Sequence, residues 1–210
     1  MTQKIPTAGI ILAAGESVRF GKTKQLLKLN DKYLIEWVID AALGSRLEKI
    51  LLVLGHKHQT ILTALREKTS HPDLQVVINP NYQNGQSTSL QAGVKKLQDK
   101  FAAVMFLLGD QPMLDSETIN MLLEQFWISE KDICVPVFQG QRGNPVIFSQ
   151  KFFDHLLKIT GDIGAREIIK NHPENVFEVE IKNPVCFMDI DTQSDFHKLQ
   201  ALLEQRRRSQ

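Results

Sequence analysis

Three cations, Arg19, Lys22 and Lys24, fall within six positions of a Gly-punctuated stretch that follows an apolar, β-branched run. The stretch begins Leu12-Ala13-Ala14-Gly15, and small residues there let main-chain N–H groups approach phosphate oxygens while the cations neutralise them. It is not a Walker loop, because Gly15 and Gly21 are six apart, one position too many, although a Lys-Thr pair follows. A dinucleotide G-x-G-x-x-G fingerprint is also missing, which disfavours an NAD-dependent oxidoreductase. Far downstream stand two carboxylate clusters, Asp110 directly after an apolar run and Asp189-Ile190-Asp191-Thr192 before the last helical pattern. Each taken alone also suits a turn or a helix cap. Together with a cationic loop they match magnesium–triphosphate chemistry, since Mg²⁺ binds through few protein carboxylates and takes phosphate oxygens for the rest.

Such groups converge only if the chain brings distant loops to one place. Apolar runs at 7–12, 49–54, 74–78, 102–108, 132–138 and 176–181 alternate with helical periodicity near 34–42, 59–68, 87–97, 116–127, 150–159, 162–170 and 192–207. That alternation predicts an α/β fold with a mainly parallel sheet flanked by helices, in one domain spanning residues 1–210. The stretch 144–148 follows a glycine-containing turn at 139–143 and predicts a small antiparallel addition. Ligands of such sheets bind beyond the carboxyl ends of the strands, where the loop at 13–24 and Asp110 both lie.

With 25 Lys and Arg against 24 Asp and Glu, no global field favours a nucleic acid or an anionic membrane. The N-terminal apolar run is too short, and too soon broken by glycine, for a signal peptide or a span. Cys134 and Cys186 form neither a CxxC pair nor a ligand spacing with histidine, which fits a reducing cytoplasm. His56 and His58 make a short His-x-His whose ordinary setting is solvent.

The segments Leu12-Ala13-Ala14-Gly15 through Lys24, Gly109-Asp110-Gln111-Pro112 and Asp189-Ile190-Asp191-Thr192 resemble the molybdenum-cofactor nucleotidyltransferases. Asn84-Gly85-Gln86-Ser87-Thr88-Ser89 and Gly161-Asp162-Ile163-Gly164-Ala165-Arg166 are similar to the cytidylyl branch that serves molybdenum hydroxylases. The resemblance implies a Rossmann-like nucleotidyltransferase fold. It implies transfer of CMP from CTP to molybdopterin or its molybdenum-loaded form, with release of pyrophosphate and transient contact with a recipient hydroxylase. On the same basis Arg19 and Lys24 bind phosphate, and Asp110 and Asp191 hold Mg²⁺, with Asp189 as the alternative to Asp191. Leu12, Ala13, Ala14 and Gly15 line the nucleotide, Gly85 and Ser89 contact the base, and Asn144 and Asp162 face the acceptor. Asn144 stands where close relatives would place histidine before proline. Guanine-transferring relatives resemble Leu-Ala-Gly-Gly at the first motif, so the Ala14 methyl is expected to narrow the base pocket toward a pyrimidine. Still open are GTP as donor, a sugar or other alcohol phosphate as acceptor, and a non-catalytic carrier of the molybdenum cofactor.

Overall fold

The computed structural model describes residues 4–17, 20–162 and 164–208, with side chains to 205. In chain order the elements are β1 (Thr7–Ala13), β2 (Lys28–Leu29), β3 (Lys32–Tyr33), α1 (Leu34–Leu43), β4 (Lys49–Leu54), α2 (His58–Ala64) and β5 (Leu74–Ile78). There follow α3 (Gln86–Leu97), β6 (Ala103–Leu108), α4 (Ser116–Ser129), β7 (Ile133–Phe138), β8 (Gln141–Arg142) and β9 (Val146–Ser149). The chain closes with α5 (Phe153–Leu156), α6 (Arg166–Asn171), β10 (Val176–Glu180) and α7 (Gln193–Arg208). The main sheet runs β10-β7-β9-β6-β1-β4-β5, with β8 paired to β7, and β2 and β3 form a separate hairpin. The fold is therefore α/β with a mainly parallel central sheet and a small antiparallel addition, as the alternating pattern predicts.

Strand β1 pairs in parallel with β4 on one side and β6 on the other. The chain builds outward from β1 to β4 and β5, then returns through α3 to place β6 on the opposite flank of β1. The connections therefore diverge at the carboxyl ends of β1 and β6, and that divergence opens a crevice where ligands of open α/β sheets settle.

Both faces of the sheet are covered, which explains why its strands read as continuous apolar runs rather than alternating ones. Ile10 and Ile11 are both fully buried, on opposite faces. Ile11 joins Ile35, Ile39 and Leu122 under α1 and α4. Ile10 joins Leu90, Val94 and Phe148 under α3. A Cβ at Gly93 would sit 2.6 Å from Ile10 Cγ2, so the glycine sets how closely α3 lies on β1. A third cluster of Phe20, Leu29, Leu34, Ile190 and Leu199 seats α7 against the β2–β3 hairpin. Burying side chains such as Ile190 and Leu199 contributes roughly 2 kcal/mol each and fixes the segment that carries Asp191.

Several expected boundaries move. The antiparallel addition expected at 144–148 is β9, Val146–Ser149. It lies between β6 and β7, antiparallel to both. The helix expected at 59–68 ends at Ala64, and a separate 3-10 turn covers Lys68–Ser70. The helix expected at 150–159 is a 3-10 turn, Gln150–Phe152, followed by the short α5. The helix expected at 162–170 starts only at Arg166, because Gly161 (φ 72°) and Gly164 (φ 61°) are left-handed and no right-handed helix passes through them. No helix among the described residues is long and apolar enough to cross a membrane.

Candidate active site

The loop after β1 is held from beneath by a residue the motif reading missed. Gln25 is buried, and its Nε2 donates to the carbonyls of Ala13 (3.2 Å) and Gly15 (3.4 Å). The Ser17 hydroxyl donates to Gln25 Oε1 at 3.3 Å, which closes the loop on itself. On its other side the loop is tied to β4's exit, where His56 N–H donates to the Ala14 carbonyl at 3.1 Å. A Cβ at Gly15 would meet nothing within 4 Å, so the small residue is not needed for packing and leaves open space facing the crevice. A buried amide in a polar stretch has no periodic signature. The only hint was that Gln25 directly precedes Leu26 and Leu27, at the start of a packed turn.

Lys24 lies at the mouth of that loop and joins the two distant carboxylates. Its Nζ donates to Asp110 Oδ2 at 2.6 Å and to Asp191 Oδ1 at 2.8 Å. All three side chains are largely buried, with 15%, 21% and 30% of their surface exposed. Burial disfavours the ammonium, but the charges and hydrogen bonds of Asp110 and Asp191 outweigh it and hold the lysine pKa above its ordinary value. Asp110 follows β6, and Ile190 N–H donates to the Asp110 carbonyl at 3.0 Å, so the main chain itself joins the second carboxylate segment to the first.

Asp189 is set apart from this group. It accepts from Gln111 Nε2 at 2.9 Å, and its pKa is raised, first by burial and then by the neighbouring Asp110 charge, with the Gln111 hydrogen bond opposing. Among the described residues no three His, Cys, Asp or Glu side chains gather as a metal site. Asp110 and Asp191 therefore form a two-carboxylate set. The second oxygen of Asp110, Oδ1, is buried with no hydrogen-bond partner. Two carboxylates, one with an unmatched buried oxygen, fit a hard divalent cation that takes its remaining ligands from phosphate and water.

Beside Lys24 and Asp110 opens a cavity of about 380 Å³, lined by both and by Leu12, Ala13, Ala14 and Gly15. Gly85, Ser89 and Asp162, also marked by the sequence, line its far wall. Gly85 has φ 102°, and a Cβ there would lie 2.5 Å from the Gly161 carbonyl carbon, so a side chain is excluded twice over. Asn79, buried beneath, donates from Nδ2 to Ser89 Oγ at 3.0 Å and to Thr88 Oγ1 at 2.8 Å. Asp162 accepts from Gln86 N–H at 3.0 Å. It thus caps the N-terminus of α3 beside the cavity instead of opening a helix of its own. Asn144 lies elsewhere, in a groove adjoining the cavity. Arg19 is outside the described residues. His56 and His58 engage separate partners, Tyr82 Oη and the Gly55 carbonyl, and make no joint site.

The family model described as MobA-like NTP transferase domain matches residues 9–176, which includes most of β1, the loop after it and Asp110. The chain belongs to the MobA-like NTP transferase family. Nucleotidyl transfer is the reaction class of that family. Among similar proteins, "Purine catabolism protein PucB" of Bacillus subtilis (strain 168) is 29% identical over 90% of this chain and 93% of its own length. The "Molybdenum cofactor cytidylyltransferase" of Escherichia coli (strain K12) is 27% identical over 89% of this chain and 92% of its own. Among solved structures, Rv0371c from Mycobacterium tuberculosis H37Rv superposes with a TM-score of 0.79 at 25% identity, covering 95% of this chain and 99% of its own. The same mycobacterial protein has also been solved in complex with manganese. The MobA-like match stops at residue 176, so Asp191 and α7 stand outside it, yet the segment just before α7 delivers Lys24's second partner.

Proposed function

We propose that this protein is a divalent-metal-dependent, in particular Mg²⁺-dependent, cytidylyltransferase that joins CMP from CTP to molybdopterin or the molybdenum cofactor. The observation that carries the reaction is the Lys24 ammonium held between Asp110 and Asp191 at the divergence of β1 and β6. The choice of CTP and molybdopterin is supported by the near full-length similarity to the Escherichia coli cytidylyltransferase and by Ala14 in the first motif.

In this reading the terminal phosphate oxygen of the acceptor attacks the α-phosphorus of CTP. A new P–O bond forms, the bond between the α-phosphorus and its bridging oxygen to the β-phosphorus breaks, and pyrophosphate leaves with that electron pair. The attacking phosphate is already anionic at neutral pH, so no strong base is needed; the barrier is repulsion between anions and their alignment. Main-chain N–H groups around Gly15 meet the phosphates, on a loop that Gln25 holds rigid. Lys24 supplies positive charge where charge builds on the leaving group. Asp110 and Asp191 would hold the metal, which when bound lowers the repulsion and stabilises pyrophosphate. Ser89 accepts from Asn79 and keeps its own proton to donate into the cavity, to an acceptor atom of the base.

The test is pyrophosphate release by the purified protein with Mg²⁺ and molybdopterin, run in parallel with CTP, GTP, ATP and UTP. Release with CTP is expected. Preference for GTP would overturn the role given to Ala14, and silence with all four would overturn molybdopterin as the acceptor, in favour of another phosphate acceptor or of a carrier.

A further inference from the structure

Among the described residues, Tyr82 is the only aromatic side chain that lines the nucleotide cavity. It lies in the polar stretch Asn79-Pro80-Asn81-Tyr82-Gln83-Asn84 and joins none of the three apolar clusters, yet it is half-buried. The loop after β1 accounts for that burial. At the buried Gly55, which follows β4, a Cβ would lie 2.6 Å from Tyr82 Cβ and 2.8 Å from the Ala14 carbonyl oxygen. The missing side chain therefore lets Tyr82 and the loop close on the same glycine. Two further contacts fix the arrangement. Tyr82 Oη lies 3.4 Å from His56 Nδ1, with the two rings edge to face, and the N–H of His56 is the one that holds the Ala14 carbonyl. Gln83, the next residue of the 3-10 turn Tyr82–Asn84, donates from Nε2 to Glu16 Oε1 at 3.2 Å and so clips the turn to the loop a second time. Directly after the turn, Gly85 and Ser89 continue the same wall.

A ring held at its Cβ end by Gly55 and at its hydroxyl end by His56 is set before any ligand arrives, and little of its freedom remains to be lost on binding. We propose that Tyr82 is the stacking platform for the nucleobase, with its ring against the face of the base while Ala14 and Ser89 meet the edge. The proposal rests on nucleotide binding in this cavity and adds to it the residue that grips the base. Stacking tolerates any base, because every base has a π-face. Tyr82 therefore supplies affinity and sets the plane of the base, and the choice among bases is left to the groups at its edge. His56, which makes no joint site with His58, acts here as a positioning residue through its two contacts, one to the ring and one to the loop.

The test is isothermal titration calorimetry of the full chain in Mg²⁺, with CTP and separately with inorganic tripolyphosphate, which carries the phosphates and no base. The wild type is compared with Tyr82→Leu and Tyr82→Phe. Tyr82→Leu is expected to weaken CTP binding by on the order of tenfold or more, as loss of a base–aromatic stack does, while tripolyphosphate binds as it does to the wild type. Tyr82→Phe keeps the ring and is expected to bind CTP nearly as the wild type does, since a 3.4 Å hydroxyl contact is at the weak limit of a hydrogen bond. Undiminished CTP binding by Tyr82→Leu would overturn the platform. Equal losses for CTP and tripolyphosphate would also overturn it, by assigning Tyr82 to the shape of the phosphate loop. A loss in Tyr82→Phe as large as that in Tyr82→Leu would do the same, by placing the interaction on the hydroxyl. Each of those failures leaves nucleotide binding in the cavity standing. A wild type that binds neither probe would overturn the nucleotide site itself, and the platform with it.

Discussion

Asp110 meets Lys24 with one oxygen and leaves the other buried and unmatched, so its removal strikes charge and metal holding together. Asp110→Ala is expected to cut metal-dependent turnover by about a thousandfold, in the range seen when a charge-stabilising group is lost, with an unchanged far-ultraviolet circular dichroism spectrum. Turnover within tenfold of wild type would remove Asp110 from the site. Ala14 tests specificity in place of rate. Ala14→Gly adds room in the cavity wall and is expected to lower the ratio of CTP to GTP use by roughly tenfold, because one methyl group in a pocket discriminates by about that much. Initial rates with the two nucleotides at limiting concentration give that ratio, and an unchanged value would show that the base is read elsewhere, with Ser89 the next residue to alter.

Asp40 shows how elements away from the cavity keep the loop region in place. On α1, it accepts from Lys32 of β3 at 2.7 Å and also from Lys68 in the turn before β5. Burial opposes its ionisation, but the two lysines outweigh this and hold the carboxyl below its ordinary pKa of 3.8. A carboxylate with a depressed folded-state pKa stabilises fully above the ordinary value, and that contribution is lost as pH falls through the folded one. Asp40→Asn is therefore expected to cost about 1 kcal/mol at pH 7 and nothing at about pH 2, read as the difference in urea unfolding free energy from wild type. A penalty that persists in acid would assign the effect to packing. At this scale the chain was largely legible. The limits of β4 and β5 follow directly from their apolar runs. The β2–β3 hairpin was not legible, because two residues per strand show no period. Nor was the start of α6, where the helical pattern runs through two glycines whose left-handed backbone only the folded chain reveals. Lys24, Asp110 and Asp191 stood out by charge after apolar runs, whereas Gln25, Asn79 and Gln111 act through uncharged buried amides that look like any surface residue in a sequence.

Helix α3 comes close to β1 at Gly93, on the return path that creates the crevice. Gly93→Ala would force its methyl against Ile10, which is itself fully buried and has nowhere to move. The expected cost is about 2 kcal/mol, or roughly 4–8 °C in Tm for a chain of this size, by calorimetry. An unchanged Tm would show that α3 can slide without penalty. The overall architecture could be anticipated because strands and crossover helices alternate along the chain. The insertion of β9 between β6 and β7 could not, since an antiparallel strand of four residues carries no mark of which neighbours it will find.

The bonds that join Lys24 to Asp110 and Asp191 span 86 and 167 positions of chain. A protein synthesised from its N-terminus has its glycine loop early and its first carboxylate midway, but must wait for the segment before α7 to obtain the second. A nascent chain can thus shape the cradle before it can complete the charge within it, and the site cannot assemble until residue 191 has left the ribosome.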